Sequence, residues 1–364
     1  MYDKAKRIDV LFEILRTILA LAIAMALVVI IIFFVSGRPM EALHMLFIGP
    51  FQTARRMGNI VEASIPLMFT GLGLTLIFRA KQINLAVDGG FIAGAMAMTL
   101  VGLYFPGPPV IVIILGLIAG ALIGGMLGAI PALIKEKLGA MELVTSLMLN
   151  FVVSFFILFL LTNIVRSPTH MALQSADLPR DVTLPIIIAG TRIHLGFIFA
   201  IISVILVSLF LFKTKWGYAL RMTGTNRDFA HYSGISVRKV VVWTQIAGCA
   251  IAGFGGAVEL IGMFTAYRWV TSPGFGFDAI IVAVLAKLNP LMVPVTALFL
   301  AYIRVGADIL NRSGDVPSEI VSIVQATVII LIAAAGFLRK LKQKTLEKQT
   351  ALMQKENAEG GEAL

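Results

Sequence analysis

The sequence predicts an all-α protein built as a polytopic transmembrane helical bundle of about ten spans, with the N- and C-termini cytoplasmic. Three observations carry this reading. Of the 364 residues, 59% are hydrophobic and only 14% charged, with a mean hydropathy of +0.94; a soluble chain of this size carries about a quarter charged residues. Uncharged runs recur from end to end, each near the roughly 20 residues needed to cross a bilayer core. The basic residues behind the net charge of +10 gather in short loops and at the termini. They form no aromatic-interleaved patch of the kind nucleic-acid binders use, so the expected solvent is membrane lipid and no nucleic acid is expected as a partner.

The first apolar stretch, Ile18 to Val35, follows Lys4, Lys6, Arg7 and Arg16. It is long for a signal core and no small-x-small cleavage site follows, so it reads as a retained span at about 17–36. Further crossings are expected at about 60–79, 87–105, 109–133, 143–165, 194–212, 240–264, 277–288, 291–310 and 318–338. The segment 277–288 is short enough to be a half-helix or a re-entrant piece. With the N-terminus inside, every lysine falls inside, and the basic residues outside are all arginine (Arg38, Arg55, Arg56, Arg166, Arg180, Arg192, Arg268, Arg312). The expected organisation is a transmembrane domain over 1–338 and a polar cytoplasmic tail over 339–364, first basic and then acidic. Two loops stand out: an outer one, Ser167 to Ile193, with Pro168, Pro179 and Pro185, and an inner one, Lys213 to Lys239.

The chain holds no GxxxxGK[ST] phosphate loop, no HExxH and no GxSxG. Its one cysteine, Cys249, excludes an internal disulfide and a cysteine-based zinc cluster. An enzyme is therefore not expected, and neither a metal nor a cofactor is expected on this chain.

Gly116, Gly120, Gly124 and Gly128 recur every four residues in the fourth span, a spacing that lets a neighbouring backbone approach one helix face. Gly248, Ala252 and Gly256 repeat it in the seventh. Helix packing is the expected role. Ionisable groups within spans are costly and each invites a role. Asp88 follows Asn84 on one face, and Asp88 and Asp278 each head a segment, where an acid either caps a helix or lines a solute path. Arg304 and Asp308, four residues apart, read as an internal ion pair. Glu259 has no basic residue within a turn and must face a cavity, a partner helix or the membrane boundary. Asn150 and Gln325 suit hydrogen bonds between helices or a polar path. In the inner loop, Thr225 or Asn226 can cap a short helix starting at Arg227 that Gly234 can end. That helix would present Arg227, Asp228, Phe229, His231 and Tyr232, either as a partner-docking patch or as an ordinary solvated connector.

The stretches MELVTSLMLNFVV (141–153), GTNRDFAHYSGISVRKVVVW (224–243), AGFGGAVELIG (252–262) and SPGFGFDAIIVAVLAKLNPL (272–291) resemble, in order, the permease subunits of ABC importers of the ribose and branched-chain amino acid type. The similarity is greatest to the branch that works with basic-membrane-protein lipoproteins and imports nucleosides. The family has a pattern like FNIGxEGQ at the start of the third span; here INLAVDGG (83–90) keeps Asn84 but places Ala86, Asp88 and Gly90 where Gly, Glu and Gln stand. The resemblance implies a plasma-membrane permease of a bacterium, moving a nucleoside or similar small polar solute by alternating access. It implies an ATP-binding subunit holding ATP and Mg, a second permease subunit (identical or paralogous) and an external substrate-binding protein. It makes Asn226 to Gly234 the helix that couples to the ATPase, and leaves Asn84, Asp88, Asn150, Glu259 and Asp278 as candidates for the solute path. The alternatives are a permease for simple sugars of the same family, and an ion-coupled secondary transporter that uses Glu259 or Asp278.

Overall fold

The computed structural model describes Ala26, Val29, Ile30, Phe33 and residues 37–312. The tenth expected crossing at 318–338, Gln325 and the tail at 339–364 lie outside the described residues, as does most of the first crossing at 17–36. Contacts divide the chain into two units, Ile48–Val305 and Met1–Phe47 with Gly306–Leu364.

The described residues are all-helical. Eleven helices follow in order: α1 (Pro39–Phe47), α2 (Ala54–Arg79), α3 (Val87–Tyr104), α4 (Pro109–Leu138), α5 (Glu142–Asn163), α6 (Gly196–Lys213), α7 (Lys215–Thr225), α8 (Arg227–Tyr232), α9 (Val237–Met263), α10 (Phe275–Leu285) and α11 (Val293–Arg312). Extended pairing among them is limited to the isolated bridges Arg166 with Ser175 and Ile186 with His194. Among the described residues, seven helices are long and apolar enough to cross a membrane, and α10 is a shorter apolar helix. At 11 residues α10 measures about 16 Å, half of a bilayer core. The local sequence explains the boundaries. Thr53 caps α2 by accepting a hydrogen bond from Arg56 N–H, Pro108 and Pro109 open α4, and Gly139 ends it at φ 70°.

Within Ile48–Val305, α9 packs against α2, α3 and α4, and α10 packs against α2 and α3. Of the apolar window of α2, 89% is buried, against 22% for α5, so α2 is interior and α5 peripheral. Phe151, Phe155, Leu122 and Leu206 face outward on α4, α5 and α6, a surface suited to lipid and unsuited to water.

Glycine sets the closest approaches. A Cβ at Gly124 would lie 2.4 Å from the Cys249 carbonyl oxygen, one at Gly128 2.6 Å from that of Gln245, and one at Gly120 2.8 Å from Ala257 Cβ. Gly116 faces α3 instead, where Met98 fills the space. On α9 the reciprocal contact belongs to Gly253, whose added Cβ would meet the Gly120 carbonyl at 2.3 Å. Gly253 lies outside the Gly248, Ala252, Gly256 spacing, which turns toward other neighbours: Gly248 to Gly73 and Gly256 to Phe91.

In the unit formed by Met1–Phe47 and Gly306–Leu364, Arg312 pairs with Asp308 at 2.9 Å. The expected Arg304–Asp308 pair is thus replaced: Arg304 reaches across to Asp278 on α10. An i,i+4 spacing brings two side chains near one another, but a partner that leaves both charges better enclosed competes for each.

Candidate functional site

The chain between α2 and α3 is not helical, and its backbone groups and the first turn of α3 find side-chain partners on α5. Ile83 N–H donates to Glu142 Oε2 at 3.0 Å, Leu85 N–H to Ser146 Oγ at 3.1 Å and Gly89 N–H to Asn150 Oδ1 at 3.0 Å. Asn150 Nδ2 donates back to the Leu85 carbonyl at 2.9 Å. Glu142, Ser146 and Asn150 are spaced by four and so share one face of α5. Irregular backbone among membrane helices must be satisfied from within, and this row of side chains does it. Asn84 completes the junction: its Oδ1 accepts from Ala86 N–H at 2.9 Å and its Nδ2 donates to Gln245 Oε1 at 2.6 Å. Gln245 in turn donates to Glu142 at 3.0 Å, and Lys135 pairs with Glu142 at 2.5 Å.

Asp88 stands in the first turn of α3 and caps a different helix. Its Oδ1 accepts from Gly276 N–H at 2.9 Å and its Oδ2 from Ser272 Oγ at 2.6 Å, so it satisfies the start of α10. Two helix N-termini therefore meet around one carboxylate, which suits their partial positive charge. Gly276 is obligatory, since an added Cβ would lie 2.3 Å from Asp88 Cβ. Gly274 turns the chain into α10 at φ 77°. Asp278, one turn on, pairs with Arg304, whose guanidinium lies 4.9 Å over the Phe275 ring and donates to the Pro273 carbonyl. Phe91 and Trp269 close the surroundings, with Phe91 5.3 Å from Phe275 and 5.5 Å from Trp269. Interrupted helices that meet inside a membrane bundle are where transporters of several folds build solute sites.

The structure thus brings Asn84, Asp88, Asn150 and Asp278 to one junction and sets Glu259 apart. Asn84, Asp88 and Asn150 are buried and committed to protein partners, whereas the Asp278 side chain is 17% exposed and that of Arg304 26%. Glu259, near the far end of α9, and Glu62 of α2 are buried neighbours. His194 Nε2 stands 3.9 Å from Glu259 Oε2 and has no hydrogen-bond partner. The loop between α5 and α6 that carries His194 is fixed over the end of α9: Leu184 N–H donates to the Ile261 carbonyl and Leu178 N–H to that of Thr265. Sequence reasoning passed over Glu62, Glu142 and Arg304 as members of these groups. Glu62 was open to discovery, because it is an acid inside an apolar run by the same criterion that singled out Glu259.

At the lysine-bearing end, α8 forms where expected, with Asn226 Oδ1 accepting from Phe229 N–H at 3.0 Å and Gly234 ending the turn at φ 80°. Ala230 buries against Val237 and Val241, and Arg227 pairs with Glu136 of α4 at 3.3 Å. Phe229 at 53% and Tyr232 at 89% exposure stand outward beside His231 and Asp228, large aromatic surface with no cover among the described residues. The inner loop also holds α7, capped by Thr214, whose hydroxyl accepts from Gly217 N–H.

Comparison with known proteins matches residues 56–333 to the family described as branched-chain amino acid transport system, permease component. The chain is 32% identical to the guanosine ABC transporter permease protein NupP of Bacillus subtilis (strain 168), over 82% of this chain and 88% of the relative. It is 27% identical to the nucleoside ABC transporter permease protein NupB of Lactococcus lactis subsp. cremoris (strain MG1363), over 94% and 97%. It is also 28% identical to the glucose ABC transporter permease protein TsgB13 of Haloferax volcanii, over 84% and 83%.

Proposed function

Because the chain belongs to the permease components of the branched-chain amino acid transport type, we propose that it is the membrane-spanning half of an ATP-driven importer for nucleosides. The observation that carries the substrate class is the near end-to-end similarity to NupB and NupP, whose names specify nucleosides and guanosine. In this reading the chain has ten spans, the short α10 among them, with both termini in the cytoplasm of a bacterium. An ATP-binding subunit carries ATP and Mg and does the hydrolysis, a second permease subunit completes the pathway, and an external binding protein delivers the solute. Transport proceeds by alternating access, driven by an energy input that favours one access state.

The coupling element is Asn226 to Gly234. Support comes from its form: a capped helix, anchored by Ala230 and Glu136, that offers Phe229 and Tyr232 outward. Of the path candidates, Asp278 is the group with exposed surface beside an interrupted helix. Asn84, Asp88 and Asn150 contact solute only in a state that exchanges their present hydrogen bonds, and Glu259 only in one that opens its buried surroundings. A nucleoside offers ribose hydroxyls and base edges to such groups, and no fixed counter-charge is needed.

The test is uptake of labelled guanosine by cells that make the chain with its partner subunits. Uptake is expected to fall when unlabelled nucleosides compete or ATP is depleted, and to withstand dissipation of ion gradients. The similarity to TsgB13 favours a second reading, a sugar permease, and competition by glucose but not by inosine would establish that one.

A further inference from the structure

Beside α8, the lysine-bearing end of the bundle holds two joined hollows that the transport reading leaves unused. The larger, about 390 Å³, is lined by apolar side chains from four helices, among them Leu76, Phe210, Leu220, Trp216 and Trp243. The smaller, about 300 Å³, shares Trp216 and Val240 with it and adds Lys215, Ser236 and Lys239. An apolar slot therefore opens into a basic mouth. No carboxylate lines either hollow among the described residues.

The charges at the mouth are unbalanced. Lys215 is the first residue of α7 and Lys239 the third of α9, and neither helix has an acid in its first turn. Both lysines are exposed and neither has an ion-pair partner among the described residues. Cations at a helix N-terminus oppose its dipole, so this mouth carries positive charge on positive helix ends, which a nearby anion would relieve. Ser236, the N-cap of α9, makes no side-chain cap hydrogen bond, and while Val237 N–H donates to the Ile235 carbonyl, the Arg238 and Lys239 N–H groups are left available as well. Two of the chain's three tryptophans, Trp216 at 54% and Trp243 at 61% exposure, frame the slot. Tryptophan in this position marks the level of the lipid headgroups.

We propose that these hollows are one binding site for an anionic phospholipid, an acyl chain in the slot and the headgroup phosphate between Lys215 and Lys239. A free phosphate would leave the slot empty, and a zwitterionic lipid would bring a third cation to a mouth that already has two. The lipid would tie α7 to α9 on either side of α8. The proposal depends on the permease reading only in setting this end at a membrane surface, and its test does not use transport.

The complex, purified in mild detergent with its partner subunits, is expected to retain phosphatidylglycerol or cardiolipin in native mass spectra. The double variant Lys215→Gln/Lys239→Gln should bind added phosphatidylglycerol about thirtyfold more weakly. Lys215→Arg/Lys239→Arg should restore binding and so exclude a folding defect. Trp243→Ala should weaken the lipid while leaving inorganic phosphate unable to compete. Equal retention by wild type and the Gln pair, equal binding of phosphatidylcholine, or full competition by inorganic phosphate would each overturn the site. So would a photo-crosslinker at position 243 that captures a protein subunit in place of lipid.

Discussion

Asp88 joins two helices that are far apart in sequence, and its substitution should separate structure from transport. Replaced by alanine, it leaves the Gly276 N–H and Ser272 hydroxyl without their acceptor, and an unsatisfied buried group costs about 1–3 kcal/mol. Asp88→Ala should therefore lower the thermal stability of the purified chain, as read by unfolding in detergent. Asp88→Glu, which adds a methylene where Gly276 already presses close, should also destabilise, although it restores the family's acid. Wild-type stability in Asp88→Ala would show that the α10 cap is dispensable. The sequence exposed Asp88 as a capping acid or a path residue but hid which helix it caps, because Gly276 lies 188 residues away. The same blindness misassigned Arg304. Periodicity offered Asp308 as its neighbour, while the true partner, Asp278, becomes visible only once α10 and α11 are packed.

Elements with a local code were legible, and elements defined by their neighbours were not. The short helix α8 was readable because its cap, its length and its terminal glycine are all written within nine residues, Asn226 to Gly234. The half-length of α10 was readable from its short apolar run, and most span boundaries fall within a few residues of expectation because bilayer thickness fixes their length. The non-helical stretch before α3 was not, since its stability resides in Glu142, Ser146 and Asn150 of α5. At this scale the sharpest prediction concerns α8. Phe229→Ala/Tyr232→Ala removes exposed surface without touching Ala230 or the Asn226 cap, so the chain should fold and insert normally. It should nevertheless lose ATP-binding subunit on co-purification and show solute-stimulated ATPase reduced by about tenfold or more, as for aromatic anchors at an interface. Unchanged co-purification and ATPase would remove α8 from the docking surface.

The arrangement of the whole molecule follows from solvent and charge together. Lipid tolerates the outward phenylalanines of α5 and forbids unpaired backbone within the bundle, so the interruptions before α3 and at the start of α10 each come with side-chain partners. By the positive-inside rule, the lysine distribution predicts α8 and the basic mouth on the cytoplasmic side and the Ser167 to Ile193 loop on the other. Thiol labelling can test that layout cleanly, because Cys249, the only native cysteine, is fully buried between helices and will not report. Met171→Cys alters the most exposed apolar side chain of the long loop, and Tyr232→Cys alters that of α8. In intact cells a membrane-impermeant maleimide should label position 171 and spare position 232, and permeabilisation should expose 232. The reverse pattern would invert the molecule and put α8 beyond the reach of any cytoplasmic ATPase. Labelling of both positions in intact cells would mean that the two loops share one face, which requires an odd number of crossings to be lost or gained between α5 and α8, and would break the ten-span layout at that point.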